Sequence, residues 1–496
     1  MAQKFQNLIN GVWKDSVSGE TFENRNPAKW NEDLIGIFPS SNADDVNEAV
    51  AAAKEAFKKW RLVPAPKRGD VLKIVGDMML ARKDEIAFEM TREMGKVFAE
   101  TKGDVQEGID TAYYAATEGR RLFGHTVPSE LANKFAMSVR MPIGVAGLIC
   151  PFNFPLAIPT WKMFPALLCG NTVVFKPAED TPKTGSMLLE VLIEAGIPAG
   201  VVNLVHGFGE DVGATIVSHP KIDLISFTGS SQTGSMIASQ CGKDLKHVSL
   251  EMGGKNAQVV MDDANLELAL DGVLWGAFGT TGQRCTATSR LILHEAIHDK
   301  FVDMLIKAAQ KLVIGDGLKP GNQVGPLIHE ESLKKVQRYV EIGKSEGAKL
   351  ALGGERHTDG DCAKGWFFKP TIFTDVKAGM RIEQEEIFGP VLSVIKVKNI
   401  DEAITVLNGT KYGLSSSVYT KDVNNSFKAM RDIKTGITYI NAPTIGAEAH
   451  LPFGGVKATG NGHREGGWPV FDFYSETKTV YVDYSDKLQR AQIDNY

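Results

Sequence analysis

From residue 142 onward, short β-rich runs alternate with helical stretches, and no other feature of the chain constrains its fold so strongly. Residues 145–150, 172–176, 201–205 and 224–227 read as strands, with a helix near 184–195. A second run of alternation covers roughly 256–445. Strands separated by helices make βαβ units, which pair in parallel and bury both faces of a sheet. Upstream, Val46, Val50, Ala53, Phe57 and Trp60 recur at spacings of three and four. They predict an amphipathic helix over 44–60, with Ser41, Asn42 and Asp44 as candidate caps. Helical pattern continues from about 67 to 122, 125–141 is extended, and 478–484 reads as one late strand.

At 496 residues the chain has room for two to four cores. Net charge is −5 and the pI about 6.1, so no basic excess favours nucleic acid or an anionic membrane. The cysteines are Cys150, Cys169, Cys241, Cys285 and Cys362, an odd and scattered set. They form neither a disulfide framework nor a zinc cluster, which fits a reducing, cytoplasmic setting. The start lacks a secretory apolar region. The apolar stretch at 144–159 is broken by Pro151, Asn153 and Pro155, too short for the ~20 residues of a membrane span. His206, His219, His247 and His450 show no metal spacing, so no metal is expected.

Several motifs carry chemistry. Cys285 lies in a Gly-rich, polar segment beside Arg284, whose charge would favour a thiolate; the alternative is an inert buried cysteine. Glu251 precedes Met252-Gly253-Gly254, where a carboxylate beside a flexible turn is a candidate base or a surface residue. Asn153 lies between Phe152 and Phe154 in a Pro-bounded loop and could donate to an oxyanion. Gly229-Ser230 follows a strand and opens a helix, either a phosphate cradle or an ordinary turn; the spacing to Gly234 does not fit Gly-x-Gly-x-x-Gly. Lys176 and Glu179 could meet a ribose, or form a solvated loop. Glu385-Glu386 before Phe388-Gly-Pro could accept from ribose hydroxyls, or end a helix.

Taken together, and in this order and spacing, these segments resemble the NAD(P)-dependent aldehyde dehydrogenase superfamily over nearly the whole chain. Further matches are Lys255 after the Glu251 motif and Pro452-Phe453-Gly454-Gly455. The Arg-Cys-Thr-Ala-Thr-Ser-Arg run and the Gly446-Ala-Glu448 loop look most like bacterial α-ketoglutaric semialdehyde dehydrogenases. The resemblance implies an α/β fold: two doubly wound parallel-sheet (Rossmann-like) domains plus a β oligomerisation arm. The cofactor domain would be 1–123 and 142–254, the catalytic domain 255–471, and the arm 124–141 with 472–496.

The resemblance also implies roles. Cys285 would attack the aldehyde, with Asn153 and the Cys285 backbone N–H as oxyanion hole. Glu251 would activate water to hydrolyse the thioester, and Lys162 would lie near for proton relay. Lys176 and Glu179 would hold the adenosine ribose, Gly229 and Ser230 the pyrophosphate, Glu386 the nicotinamide ribose, and Phe388 the ring. NAD is expected, with NADP admitted; Glu179 repels a 2′-phosphate. The substrate tunnel would be lined by Phe154, Ala157, Ile158, Trp161, Arg284, Thr286 and the loop 442–450. Arg284 could meet the far carboxylate of a semialdehyde such as α-ketoglutaric semialdehyde, or point into structure. Aminoadipate and succinate semialdehydes, or a broad range of aldehydes, are the alternatives. A homodimer or homotetramer is expected. An acyl-transferring relative would lack Glu251, and a catalytically silent relative would lack Cys285, Glu251 or Asn153; all three are present.

Overall fold

The computed structural model describes residues 3–493. Residues 1–2 and 494–496, at the ends of the expected first unit and of the expected arm, lie outside the described residues.

Two seven-stranded sheets form the body. The first runs, edge to edge, His247–Glu251, Leu224–Thr228, Val145–Ile149, Thr172–Lys176, Val202–Leu204, Asn7–Ile9 and Val12–Lys14. Its first five strands are parallel, and the N-terminal hairpin closes the edge antiparallel. Alternate residues serve opposite faces: Val173 and Phe175 pack in one core, Val174 in another. Both faces are therefore buried, which explains why these strands read as continuous apolar runs.

The second sheet runs Lys349–Leu352, Thr371–Thr374, Val391–Val397, Thr288–His294, Asn256–Val260, Ser415–Tyr419 and Ile437–Ile440, parallel except at Lys349–Leu352. It too is buried on both faces, with Val259 in one core and Val260 in another. This is the doubly wound α/β architecture that the alternation predicts. A third, three-stranded sheet pairs Ser475–Asp483 with Lys134–Pro142, and the latter with Thr126–Pro128. Val127, Phe135, Tyr481 and Val482 are exposed on it.

The helix expected over 44–60 spans Ala43–Trp60. Asn42 and Asp45 form a capping box, and Val46, Ala49, Val50 and Ala53 are its buried stripe. The helical region that follows is three helices, Ala65–Ala81, Lys83–Met94 and Phe98–Glu118. Gly95, at φ +88°, ends the second; a Cβ there would meet Pro326 and Pro27. No helix among the described residues is long and apolar enough to cross a membrane.

Topology fixes where chemistry can occur. Glu251, Thr228-Gly229, Cys150-Pro151 and Lys176 all stand at the carboxyl ends of parallel strands of the first sheet. That is where ligands bind in open α/β sheets. The second sheet offers the segments that enter its strands: Cys285 before Thr288–His294, and Glu386 with Phe388 before Val391–Val397.

Candidate active site

Cys285 is presented by a strained turn. After the helix Leu266–Phe278, Thr280 and Thr281 adopt left-handed conformations at φ 51° and 57°. Side chains avoid that region, so the surroundings must hold it. Glu100 accepts from the Thr280 N–H at 2.8 Å, and Thr281 Oγ1 donates to the Gly325 carbonyl at 2.9 Å. The Gln283 side-chain oxygen accepts from the Ile328 N–H at 3.0 Å. Gly282, at φ +70°, could not carry a Cβ, which would stand 2.3 Å from the Gly389 carbonyl. Asn256 Nδ2 donates to the Cys285 carbonyl at 2.7 Å.

The thiol stands where two cavities meet, each of about 450 Å³. Ile158, Thr228, Met252 and Cys285 line both. One cavity also holds Phe154, Trp161, Glu251, Arg284, Thr286 and Glu465. The other holds Asn153, Gly229, Ser230, Glu386 and Phe388. All five residues expected to contact substrate (Phe154, Ile158, Trp161, Arg284 and Thr286) reach the first cavity. Ala157 does not: it is buried at the start of the helix Ala157–Cys169, its N–H donating to Asp104 Oδ1 at 2.7 Å. Of the 442–450 loop, only Ile445, Gly446 and Ala447 reach it.

Electrostatics differ from the sequence expectation at one point. Burial pushes the Cys285 thiol up to about 12, and the nearby Glu386, Glu251 and Glu107 add to that. Arg284 does not offset it. Its Nε donates to Thr280 Oγ1 at 2.9 Å and its Nη2 to Glu100 Oε1 at 3.0 Å, with the guanidinium over the Phe154 and Trp275 rings. Among the described residues Nη1 finds no acceptor.

Glu251 is buried, and neither carboxylate oxygen has a hydrogen-bonding side chain. Burial, and then the charge of Glu465, push its carboxyl well above the usual range. Met252 N–H donates to the Thr459 carbonyl at 2.7 Å, fixing the turn after it. Lys162 lies one layer behind the cavity, its ammonium 2.6 Å from Glu465 Oε1 and 2.9 Å from Ser226 Oγ. The sequence reading missed Glu465. Its Gly-rich setting, before Gly466-Gly467, is the same signal that marks Glu251.

On the other side, Glu386 Oε1 accepts from the Gly254 N–H at 2.9 Å. A Cβ on Gly253 would stand 2.1 Å from Glu386, so this close approach requires a glycine there. The Phe388 ring meets Phe152 edge-on at 6.0 Å. Ser230 caps the helix Ser231–Asp244, its hydroxyl accepting from Thr233 N–H at 3.1 Å. Lys176, buried at its strand end, pairs with Glu179 at 2.9 Å. Sequence reading also missed His329, Ser332, Lys335 and Arg338, which line this cavity from the start of the helix Glu330–Ser345. The basic Lys334-Lys335-Val-Gln-Arg338 run is the signal for Lys335 and Arg338; none marks His329 or Ser332.

These groups suit a dinucleotide. The Glu386 carboxylate could accept from a ribose hydroxyl, and the start of a 14-residue helix with the cations Lys335 and Arg338, beside Glu331, could meet a diphosphate; Lys176 and Glu179, paired with each other, do not line this cavity.

Comparison with known proteins accords with this geometry. The aldehyde dehydrogenase family model matches residues 13–480. An α-ketoglutaric semialdehyde dehydrogenase of Bacillus subtilis is 43% identical over 478 residues, covering 96% of this chain and 98% of that protein. An α-ketoglutarate semialdehyde dehydrogenase of Haloferax volcanii is 42% identical, covering 98% and 100%. The crystal structure of an NAD-dependent aldehyde dehydrogenase from Sinorhizobium meliloti superposes with a TM-score of 0.95 at 37% identity, covering 99% and 96%. Matched over residues 13–480 and by relatives 42% and 43% identical over nearly its whole length, the chain belongs to the aldehyde dehydrogenase family: it is an oxidoreductase that acts on aldehydes and uses NAD or NADP.

Proposed function

We propose that the protein oxidises a dicarboxylic semialdehyde, of the α-ketoglutaric type, to the corresponding acid through a thioester on Cys285. The observation that carries this reading is the thiol at the meeting of the two cavities, with Asn153 on one side and Glu251 on the other. Cys285 loses its thiol proton to water as the sulfur adds to the aldehyde carbon, and Asn153 with the Cys285 backbone N–H stabilises the oxyanion. A bound NAD(P), held by Glu386 and Phe388, would supply the acceptor for the hydride that leaves that carbon. Glu251 then takes a proton from water, which attacks the thioester and releases the acid and the thiol. Glu386 and Phe388 hold the nicotinamide end, Gly229 and Ser230 the pyrophosphate, and Lys176 and Glu179 the adenosine ribose. Glu179 favours NAD, since a 2′-phosphate beside a carboxylate is repelled. Residues 1–123 with 142–254 act as the cofactor domain, 255–471 as the catalytic domain, and 124–141 with 472–496 as the arm of a cytoplasmic homodimer or homotetramer.

Arg284 supports the semialdehyde. Glu100 and Thr280 fix its guanidinium while Nη1 stays available to a carboxylate. The names of the two relatives point the same way. The test is kcat/KM with NAD and NADP over α-ketoglutaric, succinic and aminoadipic semialdehydes against propanal, hexanal and benzaldehyde. A preference of roughly 10-fold, about 1.4 kcal/mol, for the semialdehydes is expected. A flat profile would reassign the protein as a general aldehyde oxidiser.

A further inference from the structure

Lys96 follows the left-handed Gly95 and is fully buried, 1% exposed. Its ammonium has three directions to satisfy and each is taken. It donates to Asp104 Oδ2 at 2.6 Å and to the Asn153 carbonyl at 2.9 Å, and it stands 4.0 Å from the centre of the Phe154 ring. Asp104 is fully buried too, and its other oxygen accepts from the Ala157 N–H at 2.7 Å. One ion pair therefore holds the loop 151–156 at two points: at its middle, Asn153-Phe154, through the cation, and at its exit into the helix Ala157–Cys169 through the anion.

Burying a lysine and an aspartate is costly unless geometry and hydrogen bonds are complete. A pair placed for stability alone would be replaced by apolar side chains at little loss. Here the cation is committed to the main-chain carbonyl of Asn153, which lines the same cavity as Cys285. We propose that Lys96, with Asp104, is a positioning residue for the oxyanion hole, setting the rotation of the Asn153 peptide and thereby the aim of the Asn153 amide. A donor misaimed by a fraction of an ångström loses much of its effect on the transition state. The same cation stands over the Phe154 ring, which lines the first cavity, and a disturbance there is read in KM for the aldehyde, apart from kcat.

The inference rests on the assignment of Asn153 as oxyanion donor, and its test separates the two. The variants are Asn153→Ala, the neutral pair Lys96→Met with Asp104→Asn, and all three substitutions together, each with thermal unfolding measured. Asp104→Asn keeps an acceptor for the Ala157 N–H, and Lys96→Met keeps the side-chain length without the bond to Asn153. The neutral pair is expected to lower kcat by roughly 10- to 100-fold with KM for NAD unchanged. On top of Asn153→Ala it should lower kcat by less than about 2-fold, because groups acting through one another are not additive. Full activity of the neutral pair, or a loss that multiplies with that of Asn153→Ala, would overturn the positioning role. Full activity of Asn153→Ala would overturn the oxyanion assignment instead. Should the neutral pair not fold, Asp104→Asn alone enters the same cycle, with a smaller loss in kcat expected and additivity again the overturning result.

Discussion

The Lys162 ammonium lies 2.6 Å from Glu465 Oε1, both buried, and Glu465 reaches the cavity that holds Glu251. Glu251 is thus flanked by an anion that raises its proton affinity and, behind it, a cation that lowers it. Lys162→Met removes the lowering influence and leaves Glu465 without its partner. The pH at which thioester hydrolysis reaches half its maximum should move upward, and the wild-type rate should return at high pH. Steady-state kcat against pH for both proteins measures it; an unchanged profile would show that Lys162 does not tune the base.

Glu251 also depends on a glycine. A Cβ on Gly454, at φ +149°, would stand 2.5 Å from Glu251 Oε1. Gly454→Ala must push the carboxylate aside or strain the backbone. A displacement of about 1 Å can cost on the order of 100-fold in rate. The loss should fall on the hydrolytic step: a burst of NADH on mixing, then slow turnover. Glu251→Gln should give the same pattern more severely, and unchanged steady turnover there would remove it as the base.

How much of this was legible beforehand follows from distance along the chain. Cys285, Glu251, Asn153 and Glu386 each carry their own Gly- or Pro-rich signal, because the backbone beside them turns sharply or passes close to another group. Their supports do not. Lys96, Glu100, Asp104 and Glu107 lie on or beside one helix that reads as ordinary amphipathic pattern. Only folding brings Lys96 to Asn153, 57 positions on, and Glu100 to Thr280, 180 positions on. Four strands of the first sheet, at 145–149, 172–176, 202–204 and 224–228, are legible because burial on both faces makes them apolar runs; His247–Glu251 is not, and the second sheet shows only as an alternation over 256–445. The N-terminal hairpin is not legible either: Asn7–Ile9 and Val12–Lys14 have three residues each, too few for any period to register.

The thiol gives a third prediction. With burial holding Cys285 at about 12, its alkylation by iodoacetamide in the absence of cofactor should rise about 10-fold per pH unit from 7 to 10. Cys150, Cys169, Cys241 and Cys362 are all buried away from the cavity mouth. Mass spectrometry should find the label at Cys285 first, with activity lost in proportion. Labelling elsewhere at equal rate would contradict the assignment. Cys285→Ser should lower oxidation at least ~10³-fold while NAD still binds.

Glu107 lines the cavity that holds Arg284 and Cys285, and burial, with Asp104 beside it, raises its carboxyl to about 8. At pH 7 it is mostly protonated and does not repel a substrate carboxylate; above about pH 8 it becomes an anion. KM for a dicarboxylic semialdehyde should therefore climb between pH 7 and 9, while KM for propanal stays level. In Glu107→Gln the climb should vanish. Equal climbs for both aldehydes would place the effect elsewhere.

Stability has its own titrating group. His206 is fully buried; Nε2 meets Ser186 Oγ at 3.1 Å, while Nδ1 has no partner. Burial, with Lys176 nearby, lowers its proton affinity to about 3. The unfolded chain protonates this imidazole near 6.5, whereas the native state keeps it neutral. The stability it confers is therefore complete above pH 6.5 and is lost progressively as pH falls toward 3. Between pH 8 and pH 5 that loss amounts to about 2 kcal/mol from this one residue. His206→Gln can still bond Ser186 but cannot take up the proton. It should be less stable than wild type at pH 8, through imperfect packing against Phe38, whose ring meets the imidazole at 5.2 Å. On acidification to pH 5 it should lose about 2 kcal/mol less than wild type does. Urea unfolding at the two pH values measures both quantities, and parallel losses in the two proteins would mean that His206 already accepts a proton in the folded state.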